Sequence, residues 1–334
     1  MGQNIPDRGG SEIRLWTGYW KSSAEASWQT SFPCGTGNCI SKLNYHDLDA
    51  GIFSLEIDIV HSAPRFGLNF LFGVAPITKG RSQDTDFENS IKSSESRNPV
   101  DGRVDLWSLE GLLPLTRQPL ILFRKKTGKP LLSWQWHWIV GVQHYQDSLR
   151  MYDGKPIARS WSGGGEDNRA RSGSGDSGEE SFREELQSSD QDESFAWLDS
   201  HYTFIWDAIK IGVKSTWDVI PDSFPFCYSL AIGGKITPLV AHYLGEGIWN
   251  LKEEFAQDPS FRHKAYGYGL GAEFSVTYCP FPPVGLELGW QYLFLSAENG
   301  SDTTYYYSGE KGESQLDEVR LQRKGWLFRV TVSF

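Results

Sequence analysis

No run of about 18 consecutive apolar residues occurs anywhere in the 334-residue chain, which excludes membrane-spanning α-helices. Basic residues are the minority sign, 32 Lys and Arg against 42 Asp and Glu for a net charge of −10. No stripe of Lys and Arg is present to neutralise phosphates, so nucleic-acid binding is excluded as a function class. The first residues, Met1-Gly2-Gln3-Asn4-Ile5-Pro6, lack the charged-then-apolar pattern of a secretion signal. If the chain is exported, it is read as a mature form. Cysteine is scarce, with four residues, and the spacing lacks the additional Cys or His that zinc requires. Cys34 and Cys39, enclosing Gly35-Thr36-Gly37-Asn38, read as a small loop disulfide. Disorder is excluded in turn by an aromatic content of 14%. What remains is a large soluble β or α+β protein, or a transmembrane β-barrel, whose signal per segment is weak.

The strongest pattern present is an alternation of period two. Val284, Leu286, Leu288, Trp290, Tyr292 and Phe294 alternate with Gly285, Glu287, Gly289 and Gln291. Tyr266, Tyr268, Leu270, Ala272, Phe274, Val276 and Tyr278 alternate in the same way with glycines and Glu273. The pattern recurs at Phe53–Ile59, Phe66–Val74, Ile209–Val213 and Tyr228–Ile232. In a soluble sandwich the wet face is rich in Lys, Glu and Thr; here it carries glycines and isolated opposite charges. Such a face suits the crowded lumen of a narrow barrel with its apolar side outward. Trp134, Trp136 and Trp138 resemble an interfacial girdle, and the chain finishes on an alternating strand with Trp326, Phe328, Val330, Val332 and Phe334 on one face.

Ten strands are expected, at about 11–28, 39–61, 66–80, 98–115, 131–154, 196–218, 227–249, 264–278, 284–297 and 315–334. The expectation is therefore a single all-β domain over 1–334, a ten-stranded antiparallel transmembrane β-barrel of outer-membrane type. An even count puts both termini on the periplasmic side, with turns at 62–65, 116–130, 219–226 and 279–283 and a mobile extracellular loop at 155–195. Pro238 falls inside the seventh strand, where it is expected to force a bulge or to mark the barrel rising above the bilayer. Cys227 and Cys279 fall at the rim of neighbouring strands, placed for a disulfide or else reduced. Lumen parity collects Glu56, Asp58, Lys210, Lys214, Lys235, Glu273, Glu287 and Arg329, a set that predicts a plugged interior and not a porin channel.

Residues Ile13-Arg14-Leu15-Trp16-Thr17, Ser41-Lys42-Leu43-Asn44-Tyr45 and the segment Lys79 to Ser90 resemble the omptins, outer-membrane proteases with ten-stranded barrels. The resemblance follows strand order along nearly the whole chain, with Val284 to Phe334 similar to the last hairpin; its specific part is Asp84-Thr85-Asp86-Phe87, like the family's Asp-x-Asp-aromatic segment in the second outer loop, with Phe87 in place of Trp. The resemblance implies a site in which this pair faces an Asp-x-His pair from the fourth outer loop and water is activated to attack a peptide. The fourth loop, Trp249 to His263, contains no Asp-x-His; the nearest material is Asp258 and His263. The resemblance also implies a lipopolysaccharide requirement, no cofactor, and a bacterial outer-membrane location with lipid and lipopolysaccharide around the barrel.

Other patterns carry less. Gly175-Asp176-Ser177-Gly178 lies in a Gly/Ser/acid tract without strand context, Gly267, Gly269 and Gly271 alternate along a strand and open no helix, and His137 reads as a structural histidine. Asn299-Gly300-Ser301 has the form of a glycosylation sequon. Segment 161–194 holds ten acids against three arginines, so most of the chain's net charge sits there. An acidic rim of this kind steers cationic peptides, or merely keeps a loop solvated. Three functions stay open: an endopeptidase for basic peptides using Asp84 and Asp86 with Asp258 and His263; a catalytically degenerate barrel serving as surface receptor or adhesin toward cationic peptides or host surface proteins; and a small channel.

Overall fold

The computed structural model describes residues 11–34, 37–62, 65–115, 120–124, 130–159, 195–219, 229–281 and 283–334. They form one antiparallel sheet: β1 (Ser11–Cys34), β2 (Gly37–Ser62), β3 (Arg65–Glu88), β4 (Ile91–Pro114), β5 (Leu120–Arg124), β6 (Pro130–Arg159), β7 (Phe195–Val219), β8 (Ser229–Ile248), β9 (Phe261–Phe281), β10 (Val284–Tyr305) and β11 (Lys311–Ser333). Neighbours pair in the order β4-β3-β2-β1-β11-β10-β9-β8-β7-β6, and β4 pairs with β6, which closes a ring of ten. Closure leaves no free edge along the ring, so the backbone groups of each strand are satisfied on both sides. The eleventh strand, β5, falls in the stretch read as the turn 116–130. Leu115 N–H still bonds the Trp136 carbonyl, and the chain then returns to β6 with Leu120 opposite Trp134.

The ring is turned inside out relative to a soluble protein. Phe66, Leu68, Phe70 and Phe72 are 36–44% exposed while Asn69 between them is 5% exposed, and Trp326, Phe328 and Val330 face outward on β11. This apolar belt is what a hydrocarbon phase would cover.

Above the belt the strands run further than their sequence pattern suggested. β3 and β4 continue to a two-residue turn at Asn89-Ser90, whose φ values of 50° and 69° are those of a primed hairpin turn. Of residues 81–97, expected to be loop, 81–88 and 91–97 are therefore strand. In the same way β10 continues to Tyr305 and β6 to Arg159, so 155–159 is not loop. Pro238 produces no bulge. The register of β8 with β9 runs unbroken past it, and the ladder with β7 omits Ile211 and Gly212 opposite it without shifting. The Cys34–Cys39 disulfide is present and ties β1 to β2 at the upper rim. Cys279 closes β9, whereas Cys227 lies outside the described residues, as does the acidic segment from 160 to 194.

The lumen is filled in layers. Lowest is a charged ring in which Arg329 meets Glu56, Glu273 and Glu287, and Lys210 and Lys235 both reach Glu110 at 2.6 and 2.8 Å. Next, Arg323 and Asp147, both 0% exposed, pair at 3.2 Å; Arg323 also donates to Tyr145 and Ser22 hydroxyls. The upper lumen is aromatic: Trp28, Tyr45, Tyr202, Phe204, Trp206, Tyr243 and Phe261 are all buried. The expected plugged interior is thus what the strands enclose.

Candidate functional site

Asp84 and Asp86 lie two apart on β3, so one strand carries both on one face of the sheet. They stand on a hairpin wall and not in a solvated turn. Asp84 sits between Leu43 of β2 and Ser96 of β4, and Asp86 accepts a 2.8 Å hydrogen bond from the Ser94 hydroxyl. The Oδ1 atom of Asp84 is sealed from solvent without a hydrogen-bond partner among the described residues. Burial, and then the charge of Asp86, push the Asp84 carboxyl up to about 7, against a small opposing pull from Lys252. Near neutrality the Asp84 carboxyl is therefore about half protonated. The Asp84 charge also bears on the buried Tyr45 hydroxyl beneath it, raised chiefly by its own desolvation.

His263 sits on β9 inside the aromatic layer and is 1% exposed. The Tyr202 hydroxyl lies 2.8 Å from its Nδ1, and Tyr202 is bonded in turn to Tyr243 at 2.5 Å. Its Nε2 lies 3.3 Å from Asp302 Oδ1, while the other oxygen of Asp302 accepts from Ser314 at 2.6 Å. The rings of Trp28 and Phe261 close over it, with centroids at 5.0 and 5.2 Å. Both nitrogens therefore face protein atoms.

Asp258, the expected partner, is exposed on the loop between β8 and β9; the carboxylate at His263 is Asp302. The reason is register. Val284 stands opposite Phe281 at the β9–β10 turn, and eighteen residues out along each strand Asp302 stands opposite His263, two shifts between having cancelled. That count from the turn was the available signal. The two halves of the expected site meet the same aromatic layer: Tyr45, under Asp84, stacks on Tyr202 at 6.4 Å, and Tyr202 touches His263.

An Asp-x-His sequence does occur, at Asp199-Ser200-His201 on β7, outside the loop where one was sought. His201 Nε2 is 3.1 Å from Asp199 Oδ1, and Arg150 holds the same oxygen at 2.7 Å. Alternation puts both side chains outside the barrel, half-exposed, while Ser200 between them is buried. This pair turns its back on Asp84. A further outward histidine, His144, pairs with Asp207 at 2.8 Å and stacks on Trp107.

A closed ring of ten antiparallel strands, apolar outside and polar or aromatic within, is a transmembrane β-barrel of outer-membrane type. Within that class the fold is omptin-like. The outer membrane protease OmpT from Escherichia coli matches 99% of this chain and 98% of its own, with a TM-score of 0.68 at 11% sequence identity, so the likeness is one of fold. A Pseudomonas aeruginosa FadL homologue matches at 10% identity over 97% of this chain and 90% of its own, with a TM-score of 0.19, too low to bear on the fold. No protein-family model matches the sequence, and no curated protein does.

Proposed function

We propose that this chain is a bacterial outer-membrane barrel, with both termini periplasmic, that binds cationic partners at its outer end without hydrolysing them. The observation that carries this reading is the enclosure of His263. It is the histidine that shares the upper lumen with Asp84, and a general base needs a nitrogen within reach of a water. Here one nitrogen is engaged by Tyr202, the other faces Asp302, and aromatic rings seal the rest. The acid excess of segment 161–194, which connects the outer ends of β6 and β7, supplies the attraction for cations.

A specific observation favours a second reading, an omptin-type endopeptidase for basic peptides. The Asp84 carboxyl, pushed to about 7 beside Asp86, has the proton affinity of a group that shuttles protons at neutrality, and a carboxylate oxygen of Asp302 lies 3.3 Å from His263 Nε2. One experiment separates the two. The full chain, refolded with lipopolysaccharide, is incubated with a fluorescent dibasic peptide, and binding and cleavage are read together. The proposal expects saturable binding that falls with salt and no cleavage. Turnover that disappears in Asp84→Asn and His263→Ala establishes the endopeptidase instead.

A further inference from the structure

Toward its upper end β10 carries one residue more than β9. Ala297 stands opposite Gly267 and Ser301 opposite Lys264, so Glu298, Asn299 and Gly300 span the stretch that Ala265 and Tyr266 cover on the partner. This is a β-bulge. On the other side the ladder with β11 runs from Glu298 opposite Glu318 to Gly300 opposite Leu316 and omits Asn299. Asn299 is thus the residue of the bulge that neither ladder holds, and it is exposed.

Both letters of the Asn299-Gly300 pair follow from the backbone. Asn299 has a φ of 55°, in the left-handed region, where asparagine is among the few side chains tolerated. At Gly300 a Cβ would lie 2.4 Å from the Lys264 carbonyl oxygen and 2.8 Å from the Ala265 Cβ, so the close approach to β9 requires glycine. The bulge therefore sets an asparagine directly before a glycine, and the sequence contains no other Asn-Gly pair.

That pair can react with itself. The backbone nitrogen of Gly300, on losing its proton, attacks Cγ of Asn299; the new C–N bond closes a five-membered succinimide, and the side-chain nitrogen leaves as ammonia with a proton returned from water. Water then opens the ring, giving aspartate when it adds at the side-chain carbonyl and isoaspartate when it adds at the backbone carbonyl. Nothing but water is consumed. Ring closure needs the Gly300 nitrogen to swing toward the Asn299 side chain, a motion that ladder bonds on both sides of a regular strand resist. At Asn299 that restraint is missing, Gly300 has no Cβ to obstruct the approach, and exposure supplies the water.

We propose that Asn299 is a site of spontaneous deamidation, through which the folded barrel gains a carboxylate on the upper part of β10 as it ages. The new charge falls next to Glu298, which already stands opposite Glu318.

Peptide mapping by mass spectrometry tests this on the full chain in detergent at pH 8.5 and 37 °C, with the heat-unfolded chain in parallel and heat-dependent gel mobility to show that the barrel stays folded. The peptide carrying Asn299 should change from amide to acid and separate into two products of equal mass, aspartate and isoaspartate. Asn89, also exposed and with a φ of 50° but followed by Ser90, should stay an amide over the same period, as should Asn44, which the ladders with β1 and β3 hold. Asn299→Gln should lose both products, because its longer side chain closes a larger ring. Asn299 that remains an amide in the folded barrel while the unfolded chain converts overturns the proposal, as does conversion of Asn89 at an equal rate.

Discussion

Asp84 carries the clearest pH dependence among the residues of the upper lumen. Its folded-state carboxyl sits at about 7 because burial and Asp86 both disfavour the charge, whereas in the unfolded chain it returns to the ordinary carboxylate range. Between those two values the folded protein holds the Asp84 proton that the unfolded chain has lost, so this group's contribution to stability falls as pH rises from about 4 to about 7 and is level above that. Asp84→Asn keeps the shape without the charge. It should raise the thermal midpoint at pH 8 and leave it nearly unchanged at pH 4 relative to wild type; a variant midpoint no higher than wild type at pH 8 would show that Asp84 is not desolvated. The Asp84–Asp86 pair was legible in the chain because two acids at strand spacing are a local pattern. Asp302 was not, because its partnership with His263 is made across a hairpin, and Asp199-Ser200-His201 shows the converse: a motif with the right letters whose strand parity turns it outward.

Strands β6 and β11 meet through one buried ion pair. Arg323 on β11 and Asp147 on β6 are both fully enclosed, and Tyr145, Ser22 and the Leu48 carbonyl complete the guanidinium's bonds. Removing one partner strands the other charge, so Arg323→Ala should cost about 3–5 kcal/mol. The double change Arg323→Met with Asp147→Leu, which leaves no charge behind, should recover most of it. Heat-dependent gel mobility across a temperature series reads both; equal midpoints for the single and double variants would contradict this. The strands were identifiable where outward apolar residues alternate with glycines or polar residues, as on β3, β9, β10 and β11. Their upper lengths were not, because above the belt both faces are polar and the contrast of period two fades: residues 81–97 read as loop from their Ser, Asn and Asp content, and the cross-strand ladder holds 81–88 and 91–97 extended all the same. The short β5 was missed because five residues that pair with one neighbour leave almost no periodic signal.

Taken together, the barrel is a double-ended vessel. An apolar belt surrounds it, the Arg323 layer crosses its lumen, an aromatic layer with His263 and the aspartate pair occupies one end, and a charged cavity occupies the other. Fold class and plugged lumen followed from which residues share a face; the division into two compartments did not, because it depends on which charges from distant strands meet. The central claim is that the upper lumen is closed around His263. Diethyl pyrocarbonate acylates unprotonated imidazole nitrogens that it can reach, so mapping its products on the folded barrel by mass spectrometry tests the claim directly. His201, half-exposed on the outer wall, should be modified, and His263 should stay unmodified until the barrel is unfolded by heat. Modification of His263 in the folded barrel at a rate comparable to that of His201 would contradict the account and return the upper lumen to the endopeptidase reading.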